Sequence, residues 1–199
     1  PETTYAEQPP AEEDGLVVDG FTIRDGHHPE TGSRALDLIG ATEVSCNIWY
    51  ALTGLATGGE ALTEYAKRMG FEAPLPFDLP TAVSQVTGGD GTAPGGCQDD
   101  VELANAAYGQ GETFVTPLQM ALVASTIANR GVLMQPHLVT AITGDGGTRT
   151  IEPQVMSTVI SASDAEAIAL AMREAVEGDL GQQFTTGAKV PGVPTAGKS

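Results

Sequence analysis

The segment that most constrains this chain is Thr116-Pro117-Leu118-Gln119 with the run that follows it. A threonine just ahead of a proline, with glutamine three residues on, is a capping box. The threonine hydroxyl can accept from an orphan amide, and proline fits the first helical position, where its missing N–H is not needed. The body, Met120 to Ala128, is apolar on nearly every face, and Gly131 ends it. A helix apolar all round belongs in an interior, so this one is expected to be buried.

The 199 residues, 41% of them hydrophobic, suffice for one domain with a real core or for most of a larger one. With Lys+Arg 9 against Asp+Glu 26, the formal net charge is −17. Such a chain repels phosphate backbones, which argues against nucleic acid as a partner. Many acids sit near the start, around Glu12-Glu13-Asp14, and read as solvated surface. No apolar run approaches the roughly 18 residues of a membrane span. No signal peptide is visible at Pro1-Glu2-Thr3-Thr4, and the absence of a starting methionine suggests a piece of a longer product.

Residues 1 to 15 read as a polar, Pro-rich connector. Leu16-Val17-Val18, Asp19-Gly20 and Phe21-Thr22-Ile23 read as a hairpin, because Asp-Gly supplies the positive φ of a type I′ turn. Residues 25 to 33 read as loop. Helices are expected over about Ala35 to Gly40, from near Ser45 with Ile48, Trp49 and Leu52, and over about Glu60 to Met69. In the last, Leu62, Tyr65, Ala66 and Met69 share a face and Gly70 supplies a stop. The Gly- and Pro-rich stretch 74 to 98 reads as a long irregular loop. A hairpin is expected from Leu138 to Ile142 and Thr148 to Ile151, around Gly144-Asp145-Gly146-Gly147. A final helix is expected from Ser163, where Ser163-Asp164-Ala165-Glu166 forms a second capping box. It carries Ile168, Met172 and Val176 on one face and closes at Gly178. From Val190 the chain reads as a turn leading into a strand. Helices in the centre with short hairpins, and no internal repeat, suggest an α+β fold.

Two short motifs carry chemistry, and each alone is weak. Ser45-Cys46-Asn47 also reads as a helix N-cap. Residues two apart on a helix point about 200° apart, so Ser45 and Asn47 share a site only if Ser45 precedes or opens the first turn. Lys198-Ser199 also reads as an exposed terminal lysine, although Ala196-Gly197 before it would let another segment approach closely. Lys67, Lys189 and Lys198 are the lysines of the chain. His27, His28 and His137 have no metal-ligand spacing, and neither cysteine belongs to a C-x-x-C pair, so neither metal nor other cofactor is expected. Cys46 and Cys97 read equally as a disulfide or as two thiols. Trp49 and Tyr108 read as core residues, and His137 as a surface histidine.

Taken together, the motifs resemble class B penicillin-binding proteins of actinobacterial type. Ser-x-x-Lys, Ser-Asp-Asn and Lys-Thr-Gly mark penicillin-binding proteins and serine β-lactamases. Ser45-Cys46-Asn47 resembles the second motif, and Ala196-Gly197-Lys198-Ser199 the third, with serine for threonine. Between them, Gly109-Gln110-Gly111, Val115-Thr116-Pro117-Leu118-Gln119 and Ala128-Asn129-Arg130-Gly131 resemble the family as one ordered block. The resemblance runs from about residue 15 to the end. It implies the helix-rich central part of a transpeptidase domain, with a peptidoglycan D,D-transpeptidase as the whole protein. In that chemistry a serine attacks the D-Ala-D-Ala carbonyl, releases D-alanine and passes the acyl group to a neighbouring amine. By motif, Ser45 would relay protons, Asn47 would hydrogen-bond the substrate amide, Lys198 would face the substrate carboxylate and Ser199 would offer it a hydroxyl. Stem peptides, β-lactams and divisome or elongation proteins would be the partners, at the extracytoplasmic face of the membrane.

The sequence departs from the pattern in one decisive respect. None of Ser33, Ser45, Ser84, Ser125, Ser157, Ser161 or Ser163 has a lysine three positions on, so Ser-x-x-Lys is absent. Residues 1–199 are accordingly expected to be a partial transpeptidase domain with incomplete sheet strands and exposed apolar surface. A β-lactamase, a β-lactam-sensing domain and a non-catalytic scaffold are the alternative readings. The family's extracytoplasmic setting makes a Cys46–Cys97 bridge a candidate, provided their Cα atoms lie within about 7 Å.

Overall fold

The structure is a computed structural model; it describes residues 5–6, 15–25, 35–88, 96–181 and 183–199. The expected loop over 25–33 and the connector over 1–15 lie almost wholly outside the described residues. The elements run β1 (Tyr5–Ala6), β2 (Leu16–Val18), β3 (Phe21–Ile23), β4 (Ala35–Leu36), α1 (Leu38–Val44), α2 (Asn47–Thr57), α3 (Gly59–Arg68) and α4 (Asp100–Ala106). They continue with α5 (Pro117–Ala128), β5 (Val132–Met134), β6 (Ala141–Gly144), β7 (Gly147–Thr150), β8 (Val155–Thr158), α6 (Ala162–Glu177) and α7 (Gln183–Thr186). Among the described residues, four two-stranded antiparallel sheets, β1–β4, β2–β3, β5–β8 and β6–β7, accompany the helices, giving an α+β fold.

The first hairpin forms as expected: Leu16 pairs with Ile23 and Val18 with Phe21, and Asp19 and Gly20 take φ of 45° and 83°. The helix expected over 35–40 is shifted. Ala35 and Leu36 are strand, paired with Ala6 and Tyr5, and Asp37 caps a helix from Leu38 by accepting from Gly40 N at 2.9 Å. Burial of Leu36 beneath the strand pair outweighs the local helical pattern. Helix α4 was not legible. Its seven residues carry no clear period, and it is set by the Asp99 cap on Glu102 N and by Leu103, Ala104 and Ala106 turned inward.

Helix α5 begins where the capping box places it, with Thr116 Oγ1 accepting from Gln119 N at 3.1 Å. The reciprocal half does not form. Gln119 Nε2 donates to Met69 O at 2.8 Å, and Thr116 N donates to Ser84 Oγ at 3.0 Å. The expectation of a buried α5 holds on one face only. Gln119, Leu122 and Thr126 are buried, whereas Pro117, Met120, Ala121, Ala124, Ser125 and Ala128 are exposed. Strand β5 and helix α6 cover that one face. Gly131 closes the helix at φ 87°, where an added Cβ would collide with Ile160 O. The chain then enters β5, whose pairing with β8 across the exposed β6–β7 hairpin was not expected.

The capping residue of α6 is Ser161, not Ser163: Ser161 Oγ accepts from Asp164 N at 3.1 Å. Glu166, expected to reach back to the cap, instead pairs with Arg130 at 2.9 Å. Helix α6 packs along α1 through small side chains, with Ala41 and Val44 buried on one helix and Ala171, Ala175 and Val176 on the other. After α7, Val190 and Val193 form a bridge, and residues 194–199 run on without the expected strand. The main hydrophobic cluster joins the β2–β3 hairpin, α1, α2 and α4 around Ile23, Leu36, Val44, Ile48 and Trp49. Trp49 is core, as read, and its Nε1 donates to Leu36 O at 2.9 Å.

Candidate active site

Ser45 stands at the break between α1 and α2. Its backbone is left-handed, φ 60° and ψ 48°, and its N–H and that of Cys46 return to Thr42 O and Ala41 O at 3.3 and 2.9 Å. It therefore precedes the first turn of α2, the condition for sharing a site with Asn47. The turn is fixed from the α2 side. Cys46 caps that helix, its Sγ accepting from Trp49 N at 3.3 Å. Asp25, arriving from the hairpin, accepts from Ile48 N at 3.0 Å and from the Cys46 thiol at 3.3 Å. The helix N-terminus thus receives a carboxylate on its positive end. Burial, then the negative charge of Asp25, pushes the Cys46 thiol up to about 12.

Lys198 arrives from the far end of the chain. Its Nζ donates to Ser45 Oγ at 2.8 Å and to Ser199 O at 2.6 Å. Two of the three ammonium donors are thereby engaged. Although much of the side chain is exposed, desolvation about the ammonium lowers its pKa from the ordinary value. The segment is pinned to α6. Gly197 N donates to Met172 O at 3.0 Å, and Thr195 N donates to Glu177 Oε1 at 2.7 Å. That amide bond, then the Arg173 guanidinium, holds the Glu177 carboxyl below its usual range. Glu43, two residues before Ser45, accepts from Leu180 N at 2.9 Å and ties α1 to the α6 exit. Ser199 Oγ lies 2.9 Å from the buried Thr185 hydroxyl on α7.

Ser45, Lys198 and Ser199 are therefore brought together. Asn47 opens α2 beside them, but its Nδ2 donates to Arg24 O at 3.0 Å, on the hairpin side. The Cys46–Cys97 bridge is not formed, and both thiols are free. Cys46 lies before α2, while Cys97 lies against Gly59, past its other end. Eleven helical residues, about 16 Å of rise, separate those ends. Cys97 borders a cleft of about 650 Å³ between α3 and the start of α4, with Glu60, Glu64, Lys67 and Asp99 on its walls. Among the described residues no group of three or more His, Cys, Asp or Glu could hold a metal ion; His27 and His28 lie outside them. Asp25, Glu43, Glu177 and Thr185 had no local sequence signal, since each acts on a segment distant in the chain.

The family model for the penicillin-binding protein transpeptidase domain matches residues 2–199. This chain belongs to that family. Peptidoglycan D,D-transpeptidase PbpA of Mycolicibacterium smegmatis is 33% identical over 126 residues, which cover 58% of this chain and 24% of that protein. The penicillin G acyl-enzyme of penicillin-binding protein A from Mycobacterium tuberculosis superposes with a TM-score of 0.72 at 25% identity, covering 95% of this chain and 42% of that one. The D,D-transpeptidase domain of a peptidoglycan glycosyltransferase from Eggerthella lenta gives 0.76 at 25% identity, covering 99% and 47%. The chain thus spans about a quarter of that PbpA, and less than half of each of these solved chains. Within the family, its likeness to PbpA agrees with the class B, actinobacterial resemblance of its motifs.

Proposed function

We propose that these residues form the substrate-side wall of a peptidoglycan D,D-transpeptidase, as part of a larger transpeptidase domain. The observation that carries the reading is the 2.8 Å contact between Lys198 Nζ and Ser45 Oγ, across 153 positions of sequence. In that site a serine of a Ser-x-x-Lys segment attacks the carbonyl between the terminal D-alanines. The C–O bond of the acyl-enzyme forms as the peptide C–N bond breaks, and the leaving D-alanine takes a proton at its nitrogen. An amine of a second stem peptide then displaces the serine oxygen, which regains its proton.

The geometry supports a role for each residue of the wall. Ser45, bonded to the Lys198 ammonium, can pass its hydroxyl proton to the leaving nitrogen and recover one from the nucleophile. The ammonium raises the acidity of that hydroxyl and attracts the substrate carboxylate. Ser199 offers the carboxylate a second contact. Asn47 would turn its amide to the substrate backbone, exchanging its bond to Arg24 O. A β-lactam would acylate the same serine by opening of its ring. The site would work at the extracytoplasmic face of the membrane, with division or elongation proteins as partners. Among the described residues no helix is long and apolar enough to cross a membrane.

Fluorescent penicillin tests this reading. The full-length protein that carries these residues should label covalently and stably. Rapid release of hydrolysed penicillin would point to a β-lactamase, and absence of label to a non-catalytic scaffold. The 199-residue polypeptide, which contains no Ser-x-x-Lys, should not label.

A further inference from the structure

We propose that Thr185 is a positioning residue that sets the direction of the Ser199 hydroxyl proton; the inference rests on the transpeptidase reading above. Thr185 lies on α7, is 5% exposed, and places Oγ1 at 2.9 Å from Ser199 Oγ. Each hydroxyl has one proton and two lone pairs, so one of the two oxygens must donate and the other accept. The direction decides what Ser199 can do. If Ser199 donates inward, it presents only lone pairs to an arriving carboxylate, and the contact is repulsive. If Thr185 donates, the Ser199 proton is free to point outward, and the hydroxyl becomes a donor for the anion. Accepting a bond from Thr185 also strengthens Ser199 as a donor, because hydrogen bonds in a chain polarise one another.

The surroundings suit that role. Thr185 is buried and β-branched, so its side chain has little freedom at χ1. Ser199 and Lys198 are exposed neighbours, with the Lys198 ammonium on Ser199 O at 2.6 Å. Lysine supplies charge with little direction, and the Thr185–Ser199 pair supplies a directed donor.

The test compares acylation of the full-length protein by a penicillin with a free carboxylate and by its methyl ester. Thr185→Val keeps the side-chain shape and removes the hydroxyl. It should lower the second-order rate constant for the carboxylate form about tenfold, and that for the ester by less than about twofold. Thr185→Ser should restore the difference. Ser199→Ala should show the same selective loss, and the double variant Thr185→Val/Ser199→Ala no larger one. An equal loss on both compounds assigns Thr185 to packing and overturns the proposal, as does discrimination unchanged by Thr185→Val. Failure of the unsubstituted protein to react with either compound overturns the transpeptidase reading itself.

Discussion

At Ser45 the backbone is held in the left-handed region, where a side chain costs about 1 kcal/mol or more. The cost is sustained by the groups around it: the α1 exit bonds, the Cys46 cap and the Asp25 carboxylate. Cys46 shows how closed that support is. Its thiol is raised from an ordinary value of 9.0 to about 12, with burial the main cause and Asp25 next. The folded state therefore keeps the proton where the unfolded chain has lost it. Stability from this group is complete below pH 9 and falls as pH rises from about 9 towards 12. Cys97 is raised as well, by burial and then by Glu102, but it is partly exposed. Thiol titration should thus find one reactive group in the folded protein at mildly alkaline pH and two after unfolding without reductant. Two reactive thiols in the folded protein would show a different Cys46 environment, and none after unfolding would show a bridge.

Helices set the spacing that residues exploit, and here the sequence was legible in part. The β2–β3 hairpin was readable because Asp-Gly fixes a turn within two residues, and the start of α5 because Thr116-Pro117 fixes a cap within three. Helices α3 and α6 were readable from their apolar stripes. Strand β4, helix α4 and the β5–β8 pair were not, because each is decided by a partner far along the chain. The same limit applies to the site. Ser45 and Lys198 could be named from motifs, but Asp25, Glu43 and Thr185 hold distant segments and leave no local pattern. The α6 cap marks the boundary between the two cases. Ser161 and Ser163 both fit a capping pattern, and the structure assigns the cap to Ser161. Ser161→Ala should therefore lower stability by about 1 kcal/mol in urea unfolding, and Ser163→Ala by well under half of that. The reverse order would restore the helix start at Ser163.

At the scale of the molecule, the apolar interior of the described residues divides into three clusters, around Trp49, Leu122 and Ala66, where a domain of this size usually builds one. Each sheet among the described residues has two strands, and an isolated pair is marginal without a face to pack on. Meanwhile Phe114, Val115 and Met120 near the start of α5, Leu138, Ile142 and Val155 around the β6–β7 hairpin, and Leu170 on α6 are exposed. With the exposed alanines of α5, these side chains form the kind of surface that marks a missing partner or an aggregation site. The net charge of −17 opposes association by self-repulsion, and salt weakens that opposition within a screening length of about 10 Å at 0.1 M. The 199-residue polypeptide should therefore melt over a broad range, bind a hydrophobic dye in its folded state, and associate more readily as salt is added. Met120→Glu with Ala124→Glu should reduce that association without lowering the melting range, because both positions are exposed and the added charge has the sign of the molecule. Sedimentation and calorimetry separate the outcomes. A monomer at high salt with one sharp transition would mean that the three clusters act as a single core and that the α5 face needs no cover.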